Sequence, residues 1–573
     1  MEQISAEKGH PKGLYFLFFT EMWERFSYYG MRAIFILFMG KVLLLSDQDS
    51  SEIYGSYTGL VYLTPLLGGY LCDKFLGNRR SIVIGGFLMA IGQFCMFLSA
   101  SSGNNGAGIT LMWLGLTSLI VGNGFFKPNI STMVGQLYPA GDRRIDSAFT
   151  IFYMGINLGA FFSPLVCGSM DFKYGFLAAC IGMLLGLLSF VLFQKKYLIS
   201  EQGREIGLPV KKLTIKEYLI IGGSIGIIFF MLNFKRIYFA VVGNQTEVDI
   251  ISYLIYGAMI IMPIIILSDK SLTKIERSRI WVIFILAFFV IFFWGAFEQA
   301  GASLTLFADR QVDREINLSI PGWLITLSGI SIMYFLSKGL KWFFDWRKNM
   351  DLIVTVLVAA ILGLLYFLGF IPDFNKNEFP ASWFQSVNPL AVITLAPVFS
   401  ILWGFLYKKR LEPSSPTKMA IGLALVALGY VVIAITVKGA TEKVSMLWLF
   451  ALYIIHSMGE LCLSPIGLSM VSKLAPLRLS SLMMGTWFLA NAAANKFAGT
   501  LSALIPNPPE VIDPEKPYKF PSLLGIQINN LYEFFMVFIV MTGIAAGILF
   551  VLSSKLRKMM HEGHVEGHVE ELR

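Results

Sequence analysis

The longest unbroken patterns in this chain are apolar. Stretches of about twenty residues or more, each long enough to cross a bilayer as a helix, run at 14–45, 53–72, 81–100, 108–137, 147–168 and 174–193. Others follow at 217–233, 250–268, 280–308, 320–337, 351–371, 384–407, 419–437, 445–470, 481–503 and 529–553. The pattern predicts about sixteen membrane-spanning helices, six of them before the first long polar linker. Several connectors are basic: Lys74 to Arg80, Asp142 to Arg144, Lys195 to Lys216, Lys270 to Arg279, Lys408 to Lys418 and Lys555 to Lys558. Basic loops stay in the cytoplasm, and an even number of spans separates each of these from the next. Lys338 to Lys348, basic and aromatic, keeps the same parity and reads as a cytoplasmic interfacial helix. Both termini are therefore expected in the cytoplasm, and no removable signal sequence is read before the first span.

One span breaks the apolar rule. Glu21, Glu24, Arg25, Tyr28, Tyr29 and Arg32 fall on a single helical face about 140° wide, opposite Phe, Leu, Met and Ile. A charge facing hydrocarbon costs at least ~2.5 kcal/mol, so this face must look into the protein. There it serves either as a route for ions and polar solutes or as an ion-pair ladder fixing helix packing.

Composition agrees with a membrane location. Of 573 residues, 55% are hydrophobic and 14% charged, and the mean hydropathy is +0.66, too apolar for a soluble globular protein. The net charge of +9 lies in the basic loops, where it orients the chain, and is no argument for nucleic acid. The five cysteines stand singly in or beside apolar segments and read as packing residues, without the spacing of a metal site. The tail repeats Gly-His-Val-Glu after His561; a solvated tail is the simpler reading, a weak metal site the other. Pro506 to Pro521 reads as an external loop.

Few other ionisable residues lie deep in spans, and each is a candidate for function. Lys127 precedes Pro128 and Asn129 on the fourth span, Glu298 lies in Trp294 to Gly301, and Glu460 in Ser457 to Leu461. Arg25, Arg32 and Lys127 can receive a carboxylate, while Glu298 and Glu460 can receive an ammonium or a proton. A cavity with bases on one wall and acids on the other suits a short zwitterion. Asn157, Gln385 and Asn388 add neutral hydrogen-bonding groups, and Tyr28, Tyr29, Tyr62, Trp294 and Trp487 add either aromatic lining or packing. Gly68 and Gly69 suit close helix approach, and the loop Asp73 to Arg80 suits an Asp–Arg clamp. No nucleophile–base pair, metal cluster or large soluble module appears, so a membrane enzyme or receptor is not indicated.

Glu21 to Gly30 resembles the Glu-x-x-Glu-Arg-Phe-x-Tyr-Tyr-Gly signature of the proton-dependent oligopeptide transporters, a branch of the major facilitator superfamily. Gly124 to Asn129, Phe152 to Gly159, Trp294 to Gly301, Trp383 to Pro389, Ser457 to Leu461 and Gly485 to Phe488 resemble further motifs of that family, over nearly the whole chain. The resemblance implies an all-α fold of two six-helix bundles plus extra helix pairs. It implies a proton-coupled symporter importing di- and tripeptides by alternating access, with the proton as coupling ion and no other cofactor. It places proton coupling at Glu21, Glu24, Arg25, Lys127, Arg32 and Glu298, with an Arg32–Glu298 gate on the external side. The peptide carboxylate would lie near Arg25, Arg32 and Lys127, its amino group near Glu460, Asn157 and Asn388, and its side chains against Tyr28, Tyr29, Tyr62, Trp294 and Trp487. A same-fold carrier of nitrate or another small or peptide-like solute is the alternative.

On this reading the chain divides into a first bundle (1–195), a linker with two extra helices (196–278), the first helix of the second bundle (279–315), an insertion with two apparent spans (316–380), the rest of the second bundle (381–555) and a cytoplasmic tail (556–573). The expected setting is the bacterial inner membrane, as a monomer in the lipid bilayer with no nucleic-acid partner. Two features depart from the family pattern: the insertion, and Gly55, where animal members tend to carry histidine.

Overall fold

The computed structural model describes residues 9–139, 142, 144–208, 214–243, 248–344, 349–369, 374–507 and 518–561. The histidine-containing repeats of the tail, the middle of the predicted external loop and the end of the 338–348 connector lie outside the described residues.

Helices stand at all sixteen apolar segments. The first six are α1 (Lys12–Lys41), α2 (Asp47–Leu71), α3 (Asn78–Ser102), α4 (Gly106–Gln136), α5 (Ile145–Cys167) and α6 (Phe172–Tyr197). Then come α7 (Ile215–Leu232), the short α8 (Phe234–Val242) and α9 (Ile250–Leu267). The remainder are α10 (Lys274–Phe297), α11 (Ser303–Gln311), α12 (Gly322–Phe344), α13 (Met350–Phe367), α14 (Val387–Lys408), α15 (Ser415–Val437), α16 (Met446–Leu474), α17 (Ser480–Ser502) and α18 (Leu531–Met559). Among the described residues eleven helices are long and apolar enough to cross a membrane. α1, with 30 residues, is not among them because its inward face carries the charges.

Polar residues start the helices where the pattern turns apolar. Ser46, Asn105, Asp249, Ser414 and Asn530 each accept a backbone N–H of the helix that follows, satisfying donors that would otherwise be left without a partner near the bilayer. Thr273 and Glu276 form a reciprocal capping box at the start of α10.

The two halves repeat one packing scheme. In the first, α1 packs on α5 and α6, α3 on α4 and α6, and α2 on α4. In the second, α10 packs on α17 and α18, α15 on α16 and α18, and α14 on α16, the same pairs in the same order. The halves meet where α2 crosses α17 and α5 crosses α14. Small residues set the spacing: a Cβ on Gly85 of α3 would lie 2.5 Å from the Gly122 carbonyl of α4, so these backbones touch.

The span expected at 280–308 is interrupted. α10 ends at Phe297, Glu298–Gly301 form a single 3-10 turn, and α11 resumes at Ser303. A Cβ on Gly301 would collide with the Tyr54 hydroxyl and lie 3.0 Å from Arg32 Nε, so the break lets α1 and α2 approach.

Two local expectations are corrected. Arg79 does not clamp its own loop: its guanidinium bonds Glu205 at 2.7 Å and the Leu198 carbonyl at 2.7 Å, in the segment after α6. The described part of the 338–348 connector is no separate interfacial helix, because α12 runs on through Phe344.

Residues Asp313–Pro380 form a compact unit of their own. Within it the strands Glu315–Ile320 and Phe374–Glu378 pair antiparallel, and α12 packs against α13. Ser337 and Thr355 share a buried hydrogen bond of 2.8 Å between those helices.

Candidate functional site

The charged face of α1 is buried and paired. Arg25 Nε lies 2.8 Å from Glu21 Oε1 and 2.6 Å from Glu24 Oε2, and Asn123 of α4 donates to Glu24 Oε1 at 3.3 Å. Lys127, one helical turn from Asn123, places its ammonium 4.1 Å from the centre of the Tyr62 ring. Two turns along α1, Arg32 is ion-paired with Glu298 and donates from Nε to the Tyr54 hydroxyl at 2.5 Å. The i, i+4, i+11 spacing on one helix thus separates two groups: three ionisable side chains with Lys127 near one end, and Arg32 with Glu298 further along.

Between the two halves lies a central cavity of about 140 Å³. Tyr29, Arg32, Tyr62, Asn157, Trp294, Glu298, Asn388 and Glu460, all expected at the site, line it together with Gln385. Glu460 accepts a hydrogen bond from Asn388 at 2.8 Å, and Asn388 also reaches Ser457 at 3.0 Å. Gln385 donates to Thr305 at 3.1 Å. The wall therefore carries Arg32 with Glu298 on one side and Glu460 with its amide partner on another.

Four of the residues expected to contact the peptide do not line the cavity. Arg25 is held by Glu21 and Glu24, and Lys127 stands behind the Tyr62 ring, which forms the partition. Tyr28 packs at 6.4 Å between ring centres against Tyr57. Trp487 is buried against α16, where a Cβ on Gly467 would collide with its ring. Conversely, Tyr54, Tyr153, Phe297, Tyr453 and His456 belong to the site and were not singled out. A signal existed for three: Tyr453 and His456 stand seven and four residues before Glu460 on one face of α16, and Tyr153 four before Asn157 on α5.

The cavity is shut on the face where α1 ends, and toward the face where α1 begins it adjoins a second space. On the far face, Arg310 holds Asp47 through two bonds of 2.6 and 2.7 Å, Lys41 meets Asp309 at 2.7 Å, and Ser51 meets Ser502 at 2.9 Å. A Cβ on Gly55 would lie 2.6 Å from Gly499 Cα, so α2 and α17 are in backbone contact there. On the near face a vestibule of about 1100 Å³ lies between α14 and α16. Tyr153 and Glu460 line both spaces and form the boundary between them.

The model of the POT family matches residues 79–337 and 372–518. The chain belongs to the POT family. The match breaks at 338–371, inside the Asp313–Pro380 unit, so that part of this member is not described by the family pattern. Among relatives, an uncharacterized transporter, YclF, of Bacillus subtilis is 34% identical over 88% of this chain and 90% of its own. The peptide transporter YePEPT of Yersinia enterocolitica is 33% identical over 86% and 88%. Among solved structures, a peptide transporter POT in complex with sulfate has a TM-score of 0.72 at 30% identity, covering 97% of both chains. A POT family transporter in complex with 5-aminolevulinic acid has a TM-score of 0.72 at 30% identity, covering 97% of this chain and 98% of the other. Like these family members, the chain is a multi-pass membrane protein with the major facilitator fold.

Proposed function

We propose that this POT family member is a proton-coupled symporter that imports di- and tripeptides by alternating access. The observation that carries this reading is the central cavity, with Arg32 and Glu298 on one wall and Glu460 with Asn388 on the other. A dipeptide spans about 7 Å and a tripeptide about 10 Å when extended, and each carries opposite charges at its two ends. Such a molecule satisfies an acid and a base facing one cavity. A bare anion such as nitrate leaves Glu460 without a use. The names of relatives that carry di- and tripeptides support the same cargo.

The peptide amino group binds Glu460, steered by Asn388 and Asn157, and the carboxylate turns toward Arg32 and, once Tyr62 swings aside, toward Lys127 and Arg25. A peptide needs more room than the cavity has in this closed form, so binding must widen it toward the Tyr153–Glu460 boundary. Protonation of Glu298 removes the charge that Arg32 holds, and the far face is then free to open. The group of Glu21, Glu24, Arg25 and Lys127 carries the second proton-sensitive step, because its first three members are buried together and the group loses or gains one unit of charge with one proton.

The protein works in the plasma membrane with the near face and both termini in the cytoplasm, as the basic loops of that face support. It acts as a monomer, since one chain builds the cavity and both of its closures. The test is uptake of a labelled dipeptide into proteoliposomes under an inward proton gradient. Uptake is expected to stop when the gradient is collapsed, and uptake that persists unchanged would overturn the coupling.

A further inference from the structure

α9 belongs to neither six-helix bundle, yet it lies across the seam where they meet. It packs against α17 of the second bundle and α2 of the first. Its Ile255 is fully buried against Ala492 and Ala493, and Gly59 of α2 leaves room for it: a Cβ there would lie 3.2 Å from the Ile255 methyl. At the start of α9 a lysine is buried with no part in the cavity described above. Lys496 of α17, 4% exposed, sets its ammonium 2.9 Å from Asp249 Oδ2 and 2.9 Å from the Ser56 hydroxyl of α2.

The two contacts differ in kind. Asp249 is the N-cap of α9; Ser252 donates to it from backbone and side chain, at 3.2 and 2.7 Å. Partial burial works against its ionisation, but the bonds from Lys496 and Ser252 outweigh this and hold its carboxyl below the ordinary range. The Asp249 contact thus joins opposite charges, whereas the Ser56 contact goes to a neutral acceptor across the seam. α9 is also seated on α17 further on, through Ile255 against Ala492 and Ala493. When α2 parts from α17, the bond to Ser56 breaks and the ion pair with Asp249 can persist.

We propose that Lys496 is a positioning residue of the transport cycle: held by Asp249, it fastens α9 to the second bundle and keeps its own charge neutralised while the far-face seam opens and closes. Without Asp249 the ammonium is left in the closed seam with one hydroxyl, and opening the seam to water relieves it. Asp249 therefore favours the closed far face. The inference rests on the alternating-access reading of this fold, but its test needs neither peptide nor proton gradient, so a failure of the cargo or coupling assignment leaves it standing.

The experiment is pulsed electron–electron double resonance on the full chain in nanodiscs, with nitroxides at Ser102→Cys and Glu442→Cys on the far ends of the two bundles, in a Cys95→Ser background. Asp249→Asn is expected to raise the ratio of long to short distances by about tenfold or more, because a buried ammonium left without its carboxylate is costly. The double variant Asp249→Asn with Lys496→Met removes the stranded charge and is expected to return the distribution to the short distance. An unchanged distribution in Asp249→Asn, or a double variant as open as the single one, would overturn the proposal. The double variant also separates it from simple loss of packing, which a second substitution would worsen.

Discussion

Arg32 and Glu298 are ion-paired from opposite halves of the molecule, and both are almost wholly buried. Neither is spare: Arg32 also gives its Nε to Tyr54, and Glu298 stands on the turn between α10 and α11. A charge pair of this kind is costly to break from one side only, so in the proposed cycle it would hold the far face shut until its acid is neutralised. Glu298→Gln mimics the neutral form permanently. It is expected to abolish gradient-driven peptide uptake while sparing counterflow exchange, measured in the same proteoliposomes. Loss of both activities would instead assign Glu298 to cargo binding.

Glu460 offers the cavity a carboxylate whose partners, Asn388 through its own bond and Ser457 behind it, are neutral. An ammonium placed there gains a charge-assisted bond, worth about 1.5–3 kcal/mol. Glu460→Gln is therefore expected to weaken binding of peptides with a free amino terminus by roughly tenfold or more. N-acetylated analogues should be affected much less. Competition against a labelled dipeptide measures both, and an equal loss for both would reverse the assigned orientation.

How much of this was legible beforehand depends on the range of the contact. Helix positions were, because an apolar run of bilayer length has few other uses. The ionisable residues stood out for the same reason: charge within such a run is rare and costly. The pairing of Arg32 with Glu298 spans 266 positions and came from family resemblance, not from spacing. The loop Asp73 to Arg80 suggests a clamp of its own because the partner that Arg79 takes, Glu205, lies 126 positions away. Tyr54 and Tyr453 were passed over because aromatic residues abound in spans and nothing local separates a cavity wall from packing. The break at Glu298–Gly301 was hidden because Gly301 makes room for a side chain from another helix.

Arg25 bridges two carboxylates in a buried setting, unlike the exposed pair of Arg478 with Glu276. Arg25→Ala leaves Glu21 and Glu24 buried together without their cation. It is expected to cost about 3–5 kcal/mol of stability, against less than about 1 kcal/mol for Arg478→Ala. Thermal unfolding in detergent, followed by intrinsic fluorescence, compares the two. Equal melting temperatures would show that the Arg25 cluster does not contribute to stability.

Trp487 distinguishes packing from cargo recognition. Its ring fills the space beside Gly467, away from the central cavity. Trp487→Ala should cost about 3–5 kcal/mol of stability through the cavity it leaves. The half-saturating peptide concentration of the protein that still folds should stay within about twofold of wild type, well under the tenfold that 1.4 kcal/mol of lost contact brings. A larger loss of affinity at unchanged stability would return Trp487 to the side-chain pocket.

Gly55 and Gly499 close the far face by backbone contact, with the Ser51–Ser502 bond one turn away. No side chain fits: even a methyl at Gly55 would sit 2.6 Å from Gly499 Cα and 3.1 Å from the Lys496 carbonyl. Histidine at this place, as in animal members of the family, would therefore require α2 and α17 to stand further apart than they do here. Gly55→His is expected to hold the seam open, raising far-face accessibility of a cysteine placed at Ser51 to a membrane-impermeant maleimide and lowering peptide uptake. Gly55→Ala should do the same more weakly, since a smaller shift relieves it. Unaltered labelling in Gly55→His would show that the helices can separate at this point without opening the path, and the seam would then not be the barrier.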